Sequence, residues 1–182
     1  MKRPLAFIIL LCTALGVFAQ APKYSNEFLA IGVGARSLGM ANAQTGIAND
    51  VTAAYWNPAG LALQQNDMQI GLMHNEYFAG VAKYDYAGFS MKLDTASTIG
   101  ISVIRLGIDD IPNTINLYDN QGNINYNRIT KFSAADYGIM FSYARKSKIK
   151  GLSYGANFKL IYRQIGSFAA AYGFGLDVGV NY

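Results

Sequence analysis

The stretch "YGFGLDVGVNY", residues 172–182, decides the fold. Tyr172, Phe174, Leu176, Val178, Val180 and Tyr182 alternate with Gly173, Gly175, Asp177, Gly179 and Asn181, a strict period of two. One face is apolar with tyrosine at both ends, and the other is small or polar. The preceding segment repeats the layout: Tyr154, Ala156, Phe158, Leu160 and Tyr162 stand opposite Ser153, Gly155, Asn157, Lys159 and Arg163, with Ile161 out of pattern. Tyr137, Ile139, Phe141 and Tyr143 against Asp136, Gly138, Ser142 and Ala144 give it a third time. A transmembrane β-strand requires about 9–11 residues, an apolar lipid face, aromatic residues at both interfaces and a lumen face that tolerates polarity. A soluble sandwich also alternates, but its apolar stripe enters a core with no reason to place hydroxyls at both ends. The pattern therefore predicts an all-β, transmembrane antiparallel β-barrel.

Working backwards, alternating cores occur at Asp67 to His74, Lys83 to Leu93 and Thr98 to Gly107. Around Ile101, Val103, Ile104 and Leu106 the apolar side switches, which predicts a bulge or kink. "DTAS" at 94–97 reads as a tight turn and Lys146 to Gly151 as a short basic one, whereas Asp109 to Ser133, rich in Asn and Gly, reads as a long extracellular loop. That makes about six strands in residues 67–182, while single-chain bacterial barrels begin at about eight. Six strands would leave two unpaired edges in lipid, at several kcal/mol per unsatisfied amide, so an incomplete barrel is expected, an N-terminal portion of a larger one.

The chain begins with an address. Lys2 and Arg3 precede an apolar run from Leu5 to Ala19, and Val17-Phe18-Ala19 places small residues where a signal peptidase cuts, so residues 1–19 are expected to be an export signal. The single cysteine, Cys12, falls inside it, so the mature chain cannot rely on disulfides. Losing Lys2 and Arg3 leaves a small basic excess, and the pI near 9.1 is no argument for nucleic-acid binding. Charged residues make up 14%, well below the roughly 25% of soluble domains. With aromatics at 13%, that suits a surface meeting something less polar than water.

Residues 20–66 fit neither a strand nor a charged loop. In "VTAAYWNPAGLA", 51–62, Asn57 is a good N-cap and Pro58 suits the first helical position, while Asp50 with Thr52 offers a cap for the turn before. Upstream, "IGVGARSLGMANA" is apolar and glycine-spaced, compatible with close backbone packing. Gly32-Val33-Gly34 is followed by no lysine at the spacing a phosphate loop requires.

Residues 26–62, with Gly34-Ala35-Arg36, Leu38-Gly39-Met40, Asn49-Asp50 and Asn57-Pro58-Ala59-Gly60-Leu61, resemble the N-terminal signature of the PorV/PorQ family of outer-membrane proteins, itself similar to the FadL fatty-acid transporters. The strands at 151–182 also look like that family's. The resemblance implies a FadL-like barrel of about 14 strands. Its N-terminal segment, residues 20–66, folds inward as a plug, and the Asn-Pro-Ala-Gly turn leads into a wall built from 67–182. In that setting Gly34, Arg36, Gly39, Asp50, Trp56, Asn57, Pro58 and Gly60 are structural plug and hinge residues.

No catalytic, cofactor or metal site is evident. His74 is the lone histidine, the mature chain has no cysteine, and Asp109-Asp110 reads as a solvated loop pair. Lys159 and Arg163 share the polar strand face and are expected to line the lumen, with Glu27 and Asp50 as candidate partners. The expected function is a non-enzymatic outer-membrane protein of the PorV/PorQ type, acting in type IX protein secretion or surface attachment. Its partners would be outer-membrane lipid and secretion-system or exported proteins. The alternatives are a FadL-like channel for long-chain fatty acids or other hydrophobic small molecules, and a soluble secreted β-sandwich adhesin.

Overall fold

The computed structural model describes residues 26–119 and 121–182, so the expected export signal lies outside them. Six strands, β1 (Met68–Tyr77), β2 (Ala82–Lys92), β3 (Ser97–Asn113), β4 (Thr130–Lys146), β5 (Ser153–Ile165) and β6 (Ala169–Asn181), form one sheet. Each pairs antiparallel with its sequence neighbours. The described residues are thus mostly antiparallel β-sheet, as the period-two pattern predicts. The sheet is open, with β1 and β6 as edges.

Two expectations are corrected. The apolar switch near Ile101 to Leu106 is not a kink, because β2 and β3 pair without a break from Ala82↔Ile108 to Lys92↔Thr98. Apolar residues occupy both faces there because both faces are covered or apolar: Ile104 is buried on the inner side while Ile101 and Val103 face outward. The register shift comes later, between Ile108 and Ile111, where Asp110 adopts φ +58°. Second, the loop is shorter than 109–133, since β3 and β4 each run 17 residues and Ile111, Pro112 and Asn113 pair with Phe132, Lys131 and Thr130. Past the bulge the ladder continues without the apolar alternation that announces a strand, and the Lys131–Asp110 ion pair at 3.0 Å crosses it.

The N-terminal segment lies across one face of the sheet. It is built from short turns, Glu27–Ala30, Ala35–Gly39, Ala53–Trp56 and Pro58–Leu63. Phe28, Val33 and Leu61 from the segment meet Tyr84, Tyr86, Ile104, Met140 and Ala144 from the strands, and this contact layer is the core. Leu61 is fully buried, so Leu61→Ala is expected to cost about 2–5 kcal/mol. The opposite sheet face carries the period-two apolar stripe.

The β2–β3 turn is held by a side chain. Asp94 Oδ1 accepts from the N–H of Ala96 at 2.6 Å and of Ser97 at 2.8 Å. Those two donors hold the exposed Asp94 carboxyl below the usual carboxylate range. Because the folded value is lowered, the contribution is complete above the unfolded pKa of about 4 and disappears as pH falls through the folded value. Amide exchange at Ala96 and Ser97, corrected for intrinsic rate, is expected to quicken below about pH 4 and to be fast at every pH in Asp94→Ala. Equal rates in the two proteins would show that another contact holds the turn.

Candidate functional site

The segment's short turns bond part of its backbone locally, and the polar groups left over find partners on the sheet. Val51 shows how. Its N–H donates to Gln69 Oε1 of β1 at 2.8 Å, and its carbonyl accepts from the Tyr86 hydroxyl of β2 at 3.0 Å. Further along, Ser90 Oγ of β2 donates to Gln64 Oε1 at 2.7 Å, Asn157 Nδ2 of β5 to the Ala54 carbonyl at 2.6 Å, and Ser153 Oγ of β5 to the Ala59 carbonyl at 3.1 Å. Asn57 Nδ2 reaches the Val180 carbonyl of β6 at 3.1 Å. The segment is therefore tied to both edges of the sheet, 123 residues apart in sequence at its widest.

Within the segment two aromatic residues organise the fold. Trp56 Nε1 donates to the Val33 carbonyl at 2.9 Å, and its ring meets Tyr55 edge-on at 4.8 Å. The Tyr55 hydroxyl donates to the Leu29 carbonyl at 2.6 Å and accepts from the Gly32 N–H at 3.0 Å. Burial pushes the Tyr55 phenol above its ordinary value, more than the Gly32 N–H lowers it, so it stays a donor at neutral pH. Together they close the loop 29–56 on itself before it meets the sheet.

Close approach explains the glycines. A Cβ on Gly155 would stand 2.5 Å from the Pro58 carbonyl carbon and 2.7 Å from the Ala59 nitrogen, so only glycine lets the backbones touch. Gly179 instead makes room for the side chains of Asn57 and Pro58, and Gly71 for that of Val51. Gly34, at φ +91°, turns the chain into Ala35–Gly39 and donates its N–H to Met73 Sδ at 3.2 Å.

The remaining sequence candidates fall as follows. Asn57 accepts from the Ala59 N–H at 3.2 Å, and Pro58 opens the helical turn behind it. Asp50 accepts from the Thr52 N–H and hydroxyl at 2.8 and 2.6 Å. Gly60 is buried against the Ala48 carbonyl. Arg36 and Gly39 are exposed, and nothing lies within 4 Å of a Cβ built on Gly39, so close packing does not explain that glycine. Lys159 and Arg163 do share the inner face, but their partners are in the wall: Lys159 Nζ is 2.7 Å from Asp177 of β6, and Arg163 forms a bidentate pair with Asp136 of β4 at 2.6 Å. Glu27 and Asp50 are not those partners. Asp136 stands directly across from Arg163, and Asp177 stands diagonal to Lys159, so each cation meets its carboxylate within the sheet.

Sequence reasoning missed the anchors Gln69, Tyr86, Ser90, Ser153 and Asn157. The signal was present for Ser153 and Asn157, which stand on the polar side of an alternating strand. Compared with known proteins, the chain matches no family model and no curated sequence. Among the described residues no helix is long and apolar enough to cross a membrane, which says nothing of crossing by strands.

Gly155→Val is expected to unseat the segment, exposing residues 26–66 to a protease concentration that leaves the parent chain intact. Gly175→Val is the control, since a Cβ there has 3.8 Å of clearance to Lys159. Trp56→Phe keeps most of the apolar ring and removes one of two donors to the Val33 carbonyl, the Ser37 hydroxyl being the other, and is expected to cost about 0.5–1.5 kcal/mol in unfolding measurements.

Proposed function

We propose that residues 67–182 are wall strands of a bacterial outer-membrane β-barrel of the PorV/PorQ type, with the segment before them as an inward plug. The protein would act without enzymatic chemistry in type IX secretion or surface attachment. One observation carries the membrane part: on β4 and β5 polar residues lie under the segment while large apolar neighbours face out uncovered. On neighbouring positions of β5, Asn157 is 1% exposed while Phe158 is 43% exposed; on β4, Ser142 is buried while Phe141 is 45% exposed. An outward apolar face bounded by tyrosines suits hydrocarbon and is costly in water.

Dimensions agree with this reading. From Tyr172 to Tyr182 the strand advances ten positions, which at ~3.3 Å per residue and ~40° tilt gives ~25 Å, the height of a barrel's apolar band. Tyr137, Tyr162 and Tyr172 neighbour one another across three strands, with centroids 6.1 and 4.9 Å apart, as an interfacial girdle would. Further strands on β1 and β6 are required to close such a wall. The described residues form one sheet with no second sheet stacked on it, which gives the sandwich alternative no support.

The secretion assignment rests on the resemblance of residues 26–62. It ranks above a channel for hydrophobic molecules because the hollow beside the segment, about 410 Å³, is lined by Thr45, Asn57, Lys159 and Asp177 as well as apolar groups. Recovery in the outer-membrane fraction with heat-modifiable mobility is expected. Deleting the gene is expected to block secretion of proteins bearing type IX C-terminal signals while long-chain fatty-acid uptake continues. The opposite pair of phenotypes would assign the channel role.

A further inference from the structure

At the end of the sheet that carries the long β3–β4 loop, one cross-strand row runs His74, Asp85, Arg105, Tyr137, Tyr162 and Tyr172 from β1 to β6. Its charges satisfy one another, with His74 Nδ1 2.6 Å from Asp85 and Arg105 Nη1 3.2 Å from the same carboxylate. The opposite end, where the short β2–β3 and β4–β5 turns lie, is different. Arg145, Lys146, Lys148 and Lys150 are all exposed, and among the described residues none of the four takes part in an ion pair. The carboxylates at this end are engaged elsewhere: Asp67 lies 3.2 Å from Lys92 Nζ, and Asp94 accepts from the Ala96 and Ser97 amides.

The β4–β5 turn holds these cations in place. Ser147 N–H donates to the Leu152 carbonyl at 2.8 Å, Leu152 N–H to the Ile149 carbonyl at 3.2 Å and Ile149 N–H to Ser147 Oγ at 3.2 Å. Lys146 N–H donates to the Ala96 carbonyl at 2.8 Å, which ties the turn to its β2–β3 neighbour. On the outer face Arg145 stands across from Tyr154, and one row nearer the middle Tyr143 stands across from Ala156. Ala156 is the one small residue on the outer face of β5, and beside it is a hollow of about 590 Å³ lined by Ile101, Phe141, Phe158 and Leu176. Cations, tyrosines and an apolar hollow thus follow one another from the end of the sheet toward its middle.

From this order we infer that the β4–β5 end binds an anionic glycerophospholipid of the phosphatidylglycerol class, its phosphate against Arg145 and the turn lysines and an acyl chain in the hollow. The inference rests on the membrane reading above, in which the short turns lie on the periplasmic side. That side of an outer membrane is the one built of glycerophospholipid. Charge selects the headgroup. Four cations without an ion pair favour a net negative group, whereas the ammonium of phosphoethanolamine would meet like charge and no uncommitted carboxylate. Arg145 leads the phosphate contact, because a guanidinium presents its donors as a fork that matches two phosphate oxygens. The hollow selects a lipid over a free phosphate, since only a lipid has hydrocarbon to bury there.

The test is native mass spectrometry of the full-length protein extracted from outer membranes and titrated with phosphatidylglycerol, phosphatidylethanolamine and diacylglycerol of identical acyl chains, and with glycerol phosphate. Phosphatidylglycerol is expected to be retained about tenfold better than the other two lipids. The exposed-site variant Arg145→Gln/Lys148→Gln/Lys150→Gln is expected to remove that preference, and Ala156→Phe, which fills the hollow and leaves the charges, to weaken retention of all three lipids. Heat-modifiable mobility of both variants reports that they still fold. Equal retention of phosphatidylglycerol and phosphatidylethanolamine by a chain that inserts normally overturns the lipid site alone. Glycerol phosphate competing as well as the intact lipid overturns it in favour of a simple anion site. An acidic protein that co-purifies with the parent and is lost from the triple variant, with lipid retention unchanged, overturns it in favour of a protein contact. Recovery of the parent chain in the soluble fraction overturns both this site and the membrane reading.

Discussion

A chain of short turns laid against a sheet must find partners there for the amides and carbonyls its own turns leave over, and that requirement shapes much of the inner face. Residues 26–66 bond part of their backbone locally, as Asn57 N–H to the Ala53 carbonyl, but each turn is too short to satisfy all of it. The sheet supplies what is missing through Gln69, Tyr86, Ser90, Ser153 and Asn157. Each such hydrogen bond contributes only about 0.5–1.5 kcal/mol net, but leaving a buried carbonyl unpaired costs about 1–3 kcal/mol. The anchors therefore act mainly by specifying where the segment sits. Burial of Phe28, Val33 and Leu61 supplies the attraction, at about 1.5–3 kcal/mol for each side chain.

That division of labour dictates strand composition. The inner face has to be polar to satisfy the segment and small to let it approach, so serine, asparagine and glycine occupy the positions that a soluble sheet would fill with valine and leucine. Apolar bulk is then pushed to the outer positions, where Phe141, Phe158 and Leu160 remain exposed. Where backbone meets the sheet the inner face is small and polar, and where Phe28, Val33 and Leu61 meet it the inner face is apolar. The paired charges on the inner face fit the same logic: Arg163–Asp136 and Lys159–Asp177 neutralise each other within the wall, so neither draws on the segment.

The strands were legible in the sequence wherever the two faces differ, and least so where they do not. β5 and β6 alternate strictly because their two faces differ, small and polar on one side and apolar on the other, and the pairing follows in order. Around Ile104 both sides take apolar residues, so the pattern suggested a kink that the ladder does not contain. Beyond Ile108 neither side demands apolar residues, and the strand was mistaken for loop. The segment's hinge was legible for a different reason, because Asn57 and Pro58 act locally through capping and a fixed φ. Its anchors were not, since Gln69 and Tyr86 meet Val51 only after folding, across 18 and 35 residues.

The outer face adds a constraint that hydrophobicity alone does not express. A uniform lipid environment would favour the same residue type along a cross-strand row, yet the row from His74 to Tyr172 changes from ionic to aromatic at β3 and β4. Both kinds of residue suit an interface, but they suit it differently. Contact with a tyrosine ring is broad and weakly directional. An ion-pair chain fixes the positions of its charges, and the glycine at 107 keeps Arg105 flat against the sheet to do so. The β1 to β3 sector of the row is therefore fixed by its ion pairs, and the β4 to β6 sector by stacked rings alone.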